Sequence, residues 1–428
     1  MRYVFLSIAL LGVSGTALIA QAPSPAPLPI TQTLSIAAFG ARGDGKTNDT
    51  QAFIAAITVA ASEGARLQLG NTTYLLTATL TIPPSAKPIS IAGGTNTTLL
   101  FAPAHPLDPA IVIAKDAAVE LKSFTIQGSG AGLVHAISVT GSTNVRLDTL
   151  QIKNIQGTGT LSTSAILLGS DNLVWITNST FTGVGTGAGK PAFVIWNDYQ
   201  MDSQSIYISH NTMSGNTANI NIAMFDTYNS VIQNNVIDGG NNCVSPCNNN
   251  GYGVLFYLEN MHGFPPSLAP KLQGETIMNN QITNTAGSGI YLASVGSGTI
   301  SGNSLTHTTL RMDDTTLPAA GIALNGADNV VVKQNVIQSD GKGGICVATG
   351  KYDVIEGNEI DGSPQWGVHL RVAAVGTTIM NNTINTAPVG VLSHSDSVNS
   401  RIQNNLLIKV GKALESNSQS GSEDDSDN

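Results

Sequence analysis

From Ile208 onward the chain repeats one short pattern: an apolar residue, two variable ones, Asn, another variable residue and a second apolar one. The copies are Ile208–Asn211–Met213, Ile232–Asn235–Ile237, Ile277–Asn280–Ile282, Ile300–Asn303–Leu305, Val332–Asn335–Ile337, Ile355–Asn358–Ile360, Ile379–Asn382–Ile384 and Ile402–Asn405–Leu407. Upstream, Phe124, Leu150 and Ser179 stand at the Asn position. Successive positions lie 23 or 24 residues apart, or farther where a loop is inserted. A second apolar phrase, Gly-apolar-x-apolar, falls inside each period, as in Gly289–Leu292 and Gly367–Leu370. Two short period-2 strands and their turns leave no room for a helix, so each period reads as one coil of a parallel β-helix. Coils stack about 4.8 Å apart. The repeated Asn then predicts an internal ladder, amide on amide.

The ends of such a stack need covers. Gln51–Glu63 is Ala-rich, with apolar residues at Phe53, Ile54, Ile57 and Ala61, and Asp49 or Thr50 stands where an N-cap belongs. This predicts an amphipathic lid on the first coil. The apolar pattern stops near Leu414, and residues 415–428 read as a disordered acidic tail. At the start, Arg2, the apolar run Val4–Ala20 and the small-x-small triplet Ala20-Gln21-Ala22 read as an export signal over 1–22. A Pro/Ala-rich linker follows over 23–33, then the β-helix over 34–414. The expected location is secreted or periplasmic, with no membrane span in the mature chain.

Composition narrows the partners. Only 11% of residues are charged, against about a quarter in average domains, and the net charge is −9. Five acids of that total sit in the tail, which leaves the body at −4 with no basic stripe and argues against nucleic acid. Of three Cys, Cys243 and Cys247 share one loop and predict a disulfide, while Cys346 falls on a strand.

The segment Phe39-Gly40-Ala41-Arg42-Gly43-Asp44-Gly45-Lys46-Thr47-Asn48-Asp49-Thr50-Gln51-Ala52-Phe53 resembles the opening motif of the pectate lyase superfamily, nearest its rhamnogalacturonase/epimerase-type domains. The resemblance extends over about residues 34–412, through the coil repeat that follows the motif. It implies an all-β, single-stranded right-handed parallel β-helix of about 11–12 coils and a polysaccharide ligand. It also fits a monomer or a β-helix trimer. It does not fix the chemistry, since this opening serves hydrolases, lyases, epimerases and tailspikes. At the positions where polygalacturonases carry their catalytic motifs, this chain reads Ala218-Asn219, Gly251-Tyr252, Gly287-Ser288, Lys342-Gly343 and Gln365-Trp366. No catalytic residue is carried over.

Candidates therefore come from coil alignment. Asp198, Asp226 and Glu259 fall near one edge on three successive coils and are the expected catalytic acids. The alignment places Asp198, Phe225 and Glu259 in one column. Lys190, Trp196, Tyr199, Tyr228, Tyr257 and His262 surround them as expected substrate contacts, because sugar rings stack on aromatic faces. The long insertions 183–191, 238–252, 259–274 and 306–320 would wall this edge. Ca²⁺ held by the three acids is an alternative, with Lys190 or His262 as base for β-elimination. No metal site is assigned. A second cluster, His369, Arg371 and His394 with Lys342, Trp366 and Asp396, could clamp an anionic sugar. The expected function is an exported polysaccharide-active protein that cleaves glycosidic bonds of pectin-like or other acidic glycans, by hydrolysis or elimination. The alternative is a non-catalytic glycan-binding or envelope-associated β-helix.

Overall fold

A computed structural model describes residues 22–84, 87–115, 118–129, 132–157, 161–186, 190–198, 201–239, 251–259, 271–310 and 318–417. The chain winds into a parallel β-solenoid of about 12 turns. A full turn has three strands rather than the two the sequence pattern suggests. In one turn they are Ala192–Asn197, Ser203–Ser209 and Thr212–Met213. In the next they are Ile220–Phe225, Val231–Gln233 and Val236–Asp238. These three ladders form faces I, II and III. Face II is a sheet of 15 strands, and faces I and III join in a sheet of 25. They join at the C-terminal end, where the long strand Thr383–His394 pairs with both.

The Asn pattern bends across the corner between faces II and III. The residue before each ladder Asn is left-handed, as at His210 (φ 58°), Asn234 (55°), Gln334 (55°) and Asn381 (57°). Gly occupies that position at Gly302 and Gly357, where φ is 64° and 63°. One left-handed residue turns the chain sharply and drops the next side chain inside. There the amides join end to end. Asn211 Nδ2 donates to Asn235 Oδ1 at 3.0 Å, and Asn235 to Asn280 at 2.9 Å. The series runs on through Asn303, Asn335, Asn358 and Asn382 to Asn405. Each Oδ1 also accepts the backbone N–H of the Asn before it, as Asn335 Oδ1 does from Asn303 at 2.9 Å. The second amide hydrogen is taken too: Asn303 Nδ2 donates to the Ile277 carbonyl at 3.0 Å. An amide suits this position because it both donates and accepts without carrying charge.

The helix Thr50–Glu63 covers the first coil and buries Phe53, Ala56, Ile57, Ala60 and Ala61. Asp49 precedes it without a side-chain cap bond. Its carboxylate instead accepts from the N–H groups of Arg42 (2.8 Å) and Gly43 (3.1 Å), tying down the loop before the helix. Thr50 accepts from Thr77 N–H, which ties the helix start to the coil. The opposite end has no such cover among the described residues. Its last strand, Leu406–Asn417, leaves Leu406 and Leu414 each 56% exposed.

One inward column of face II breaks the apolar rule. It reads Val119, Val145, Val174 and Ile206 in the early coils, but Ser230, Glu275, Gly298, Val330 and Asp353 in the later ones. Glu275 accepts from Ser230 N–H at 3.1 Å, and Asp353 from Val330 N–H at 2.8 Å. Burial pushes both carboxyls up: Glu275 well above its ordinary value, Asp353 to about 8. The Val330 bond lowers Asp353 and the Asp328 charge raises it further. On the approach to face II, buried Asp171 accepts from Ser142 and Gly169 N–H groups, both at 2.8 Å. Burial raises it to about 6 against those bonds.

Candidate functional site

Face I carries the expected acids. Ile195, Ile222 and Val254 point inward and fix the register, so Trp196, Ala223 and Leu255 point outward together. The next outward column runs from Gly169 through Asp198, Phe225, Tyr257, Ala293 and Asn325. This corrects the coil alignment, which set Glu259 beside Phe225. Val254 and Phe256 pack inward opposite Ile222 and Met224, which leaves Tyr257 beside Phe225. Glu259 lies two residues past the strand end.

The three acids share one edge but have different surroundings. Asp198 is half-buried and Glu259 exposed. Asp226, between them, is fully buried in a left-handed conformation (φ 50°), and its Oδ1 accepts the Glu259 backbone N–H at 2.9 Å. Half-buried Phe225 and Tyr257 meet edge to face, with ring centroids 6.0 Å apart. Burial raises the Tyr257 hydroxyl, and the charges of Glu259 and Asp226 raise it further. Tyr228 is raised by burial and by Asp202, Asp226 and Glu275. Trp196 is buried and stacked on Phe193 at 4.9 Å, with no hydrogen-bond partner for its indole N–H among the described residues. Lys190 is exposed. Tyr199, His262, Cys243 and Cys247 lie outside the described residues. No group of three His, Cys, Asp or Glu side chains among the described residues could hold a metal ion, so nothing described here builds the Ca²⁺ site considered above.

The second cluster is assembled on the same face, with Trp366, His369 and Arg371 four coils past the Val254–Tyr257 strand and His394 five. His369 packs against Trp366 at 5.0 Å and His394 at 5.2 Å. Trp366 lies flat over Gly343, where a Cβ would come within 2.3 Å of the indole ring. Burial, with help from His394, Arg371 and Lys342, drives His369 down to about 3. It is therefore a neutral imidazole at physiological pH, and its Nε2 has no hydrogen-bond partner among the described residues. Half-buried Arg371 stands one column away beside Ala348. Asp340, raised to about 6 by burial, holds Ser363 Oγ and the Lys342 N–H in the adjoining turn.

Sequence reasoning missed a polar group on the early coils. His135 Nδ1 meets Ser164 Oγ at 2.8 Å, and its Nε2 lies 3.6 Å from Asp108 Oδ1. Burial lowers His135 while Asp108 opposes that shift. Ser164 is fully buried, so the group ties neighbouring coils together and presents no open nucleophile. Asp108 sits outside the strand phrase, and no periodicity could have joined it to His135.

The class this geometry defines is the right-handed parallel β-helix. Residues 271–423 match the family described as "Right handed beta helix region". A pre-neck appendage protein of Bacillus phage B103 is 29% identical over 182 residues. That match covers 41% of this chain and 19% of the phage protein, so the chain spans about a fifth of its curated relative. Among solved structures, the pre-mature gene product 12 of bacteriophage phi29 aligns with TM-score 0.63 at 16% identity, over 89% of this chain and 56% of that one. The Streptococcus pneumoniae surface protein and adhesin PfbA aligns with TM-score 0.59 at 16% identity, over 90% and 100%. The Azotobacter vinelandii mannuronan C-5 epimerase AlgE4 A-module aligns with TM-score 0.57 at 16% identity, also over 90% and 100%. At such identities these likenesses establish the shared fold.

Proposed function

We propose that the protein is an exported, glycan-handling β-helix whose working edge is the column Asp198, Phe225 and Tyr257 with Glu259 beside it. The observation that carries this reading is a pair of half-buried rings on neighbouring coils, flanked on one edge by half-buried Asp198 and exposed Glu259. Aromatic faces take the C–H faces of sugars, and carboxylates take their hydroxyls or move their protons. Asp198 and Glu259 stand two coils apart, about 10 Å by backbone spacing, just past the inverting range and within side-chain reach of it. Asp226 then positions Glu259 through its backbone rather than touching sugar. Lys190 and Trp196 flank the edge, and an export signal over residues 1–22 would deliver the chain to its substrate. Glycosidic cleavage of an acidic glycan, by hydrolysis or elimination, is the reaction this edge would carry.

A second reading rests on the burial of Asp226. With that carboxylate occupied by backbone, the edge holds two well-separated acids, which suits binding without turnover. A surface adhesin and an epimerase share this fold, so the fold is compatible with attachment and with catalysis. Incubation with pectins, alginates and neutral glycans, assayed for reducing ends and for the ultraviolet absorbance of unsaturated products, tests both. Turnover that falls at least about a hundredfold in both Asp198→Asn and Glu259→Gln supports cleavage. Retention of a glycan without products supports the binder. No interaction with any glycan ends both readings.

A further inference from the structure

Residues 22–27, at the junction of the expected export signal (1–22) and the expected linker (23–33), lie against face II. The Trp175 indole N–H donates to the Pro23 carbonyl at 2.9 Å, and the Ala22 N–H to Gln233 Oε1 at 3.4 Å. Face II begins with Thr33–Ser35, and the strand Val231–Gln233 is seven steps along it. Seven steps of about 4.8 Å make about 34 Å. The eleven residues from Thr33 back to Ala22 would make about 34 Å at about 3.1 Å each in polyproline II, interrupted by one turn in which the Ile30 N–H donates to the Leu28 carbonyl at 2.8 Å. Residues 22–27 therefore run along the solenoid axis, across the strands. Their three-residue repeat of about 9.3 Å nearly equals two coils, about 9.6 Å, so every second coil meets an equivalent side of the segment.

The floor beneath is built for such a chain. One outward column of face II is Glu120, Arg146, Trp175 and Tyr207, and a neighbouring one includes Lys122 and Asp148. Trp175 and Tyr207 stack at 5.5 Å, and the Arg146 guanidinium sits 5.9 Å from the Trp175 ring centroid. Lys122 pairs with Asp148 at 3.0 Å. The charges balance, and the stretch Ala22–Ile30 carries no charged side chain. A cavity of about 590 Å³ remains between segment and floor. Arg146 lines it while only 5% exposed. Its Nη2 is bonded to Asn144 Oδ1 at 2.9 Å, but its Nε–H has no hydrogen-bond partner among the described residues. A buried spare donor beside an indole N–H suits a chain rich in backbone carbonyls. Proline-rich segments supply those with little conformational entropy to lose.

We propose that this face is a docking groove for proline-rich polypeptide in the polyproline II conformation, with the chain's own Pro23–Leu28, the start of the expected mature chain, as resident occupant. Tethering gives the resident a high effective concentration, so a free peptide competes poorly until the resident is weakened. The test uses the chain from Pro23 onward carrying Pro23→Gly, Pro25→Gly and Pro27→Gly together, and a labelled peptide of residues 23–30. The peptide should bind this variant at least about tenfold tighter than the parent by fluorescence anisotropy. Adding Trp175→Phe, which keeps a ring but removes the donor, should abolish that gain. The Trp175 indole hydrogen should also exchange faster in the triple variant than in the parent. Equal binding to parent and variant, binding indifferent to Trp175→Phe, or unchanged exchange would overturn the proposal. So would maltohexaose binding to the variant where the peptide does not.

Discussion

Two inward columns of this solenoid solve the same problem with different chemistry. At the corner between faces II and III, seven amide-to-amide bonds run from Asn211 to Asn405, and each Asn also satisfies a neighbouring backbone N–H. In one inward column of face II, backbone N–H groups are satisfied by carboxyls at Glu275 and Asp353, and on the approach to that face by Asp171. An amide repeats without limit because it carries no charge. A carboxyl column would gather charge in a dry interior, so these acids appear singly, among Val, Ser and Gly, and are pushed toward their protonated forms. The first column should therefore be strong and indifferent to pH, and the second weaker and pH-sensitive.

The largest effect should come from breaking the first column. In Asn303→Leu the Asn280 amide and backbone N–H lose their acceptor, and the Ile277 carbonyl loses its donor. Each buried orphan costs roughly 1–3 kcal/mol, so thermal unfolding should fall sharply and by the same amount at every pH. A melting temperature equal to the parent's would mean that the ladder contributes nothing.

Asp353→Asn should sharpen the contrast. A carboxyl raised to about 8 when folded, from an ordinary 3.8, stabilises the fold fully below pH 3.8. That contribution is lost as pH rises toward 8. The Asn variant keeps an acceptor for Val330 N–H but does not titrate. Its denaturation midpoint should match the parent's near pH 4 and exceed it above pH 8. Parallel pH curves for the two proteins would remove the buried acid from the account.

The unequal legibility of the two columns has the same cause. A residue needed at every coil writes a period into the sequence, and Asn at 23- or 24-residue intervals could be read as a ladder without coordinates. Glu275 and Asp353 leave no period, since Val119 and Val145 fill equivalent places, so their burial could not be foreseen. The edge acids were found for a related reason: Asp198, Asp226 and Glu259 lie near strand ends whose inward residues are regular. Their individual environments depend on turn conformation and on insertion length. That is why buried Asp226 could not be told from exposed Glu259, and why the contact of Pro23 with Trp175, 152 positions apart, left no sign.

His369 provides the opposite sign. Its imidazole, held down to about 3 from 6.5, contributes stability present above pH 6.5 and lost as pH falls toward 3. His369→Gln should flatten the acid limb of the pH–stability curve and leave the alkaline limb, to which Asp353 and Glu275 contribute, as in the parent. If the alkaline limb changed as well, His369 would not be independent of those acids.

The smallest shift should belong to Asp171, and it tests whether burial alone sets the size of these effects. Its carboxyl rises only to about 6, because two backbone N–H groups, from Ser142 and Gly169, hold its charged form against desolvation. The stability it adds in acid is therefore lost between about pH 4 and 6, a narrower window than that of Asp353. Asn at this position offers one oxygen where two N–H groups need acceptors, so one of them is orphaned. Asp171→Asn should thus lower stability throughout while removing the slope between pH 4 and 6. Asp353→Asn, which leaves its single N–H satisfied, should remove a slope without that uniform loss. Denaturant titrations of both variants across pH separate the cases. If Asp171→Asn proved as stable as the parent near pH 4, the two N–H bonds would not be what holds its shift down.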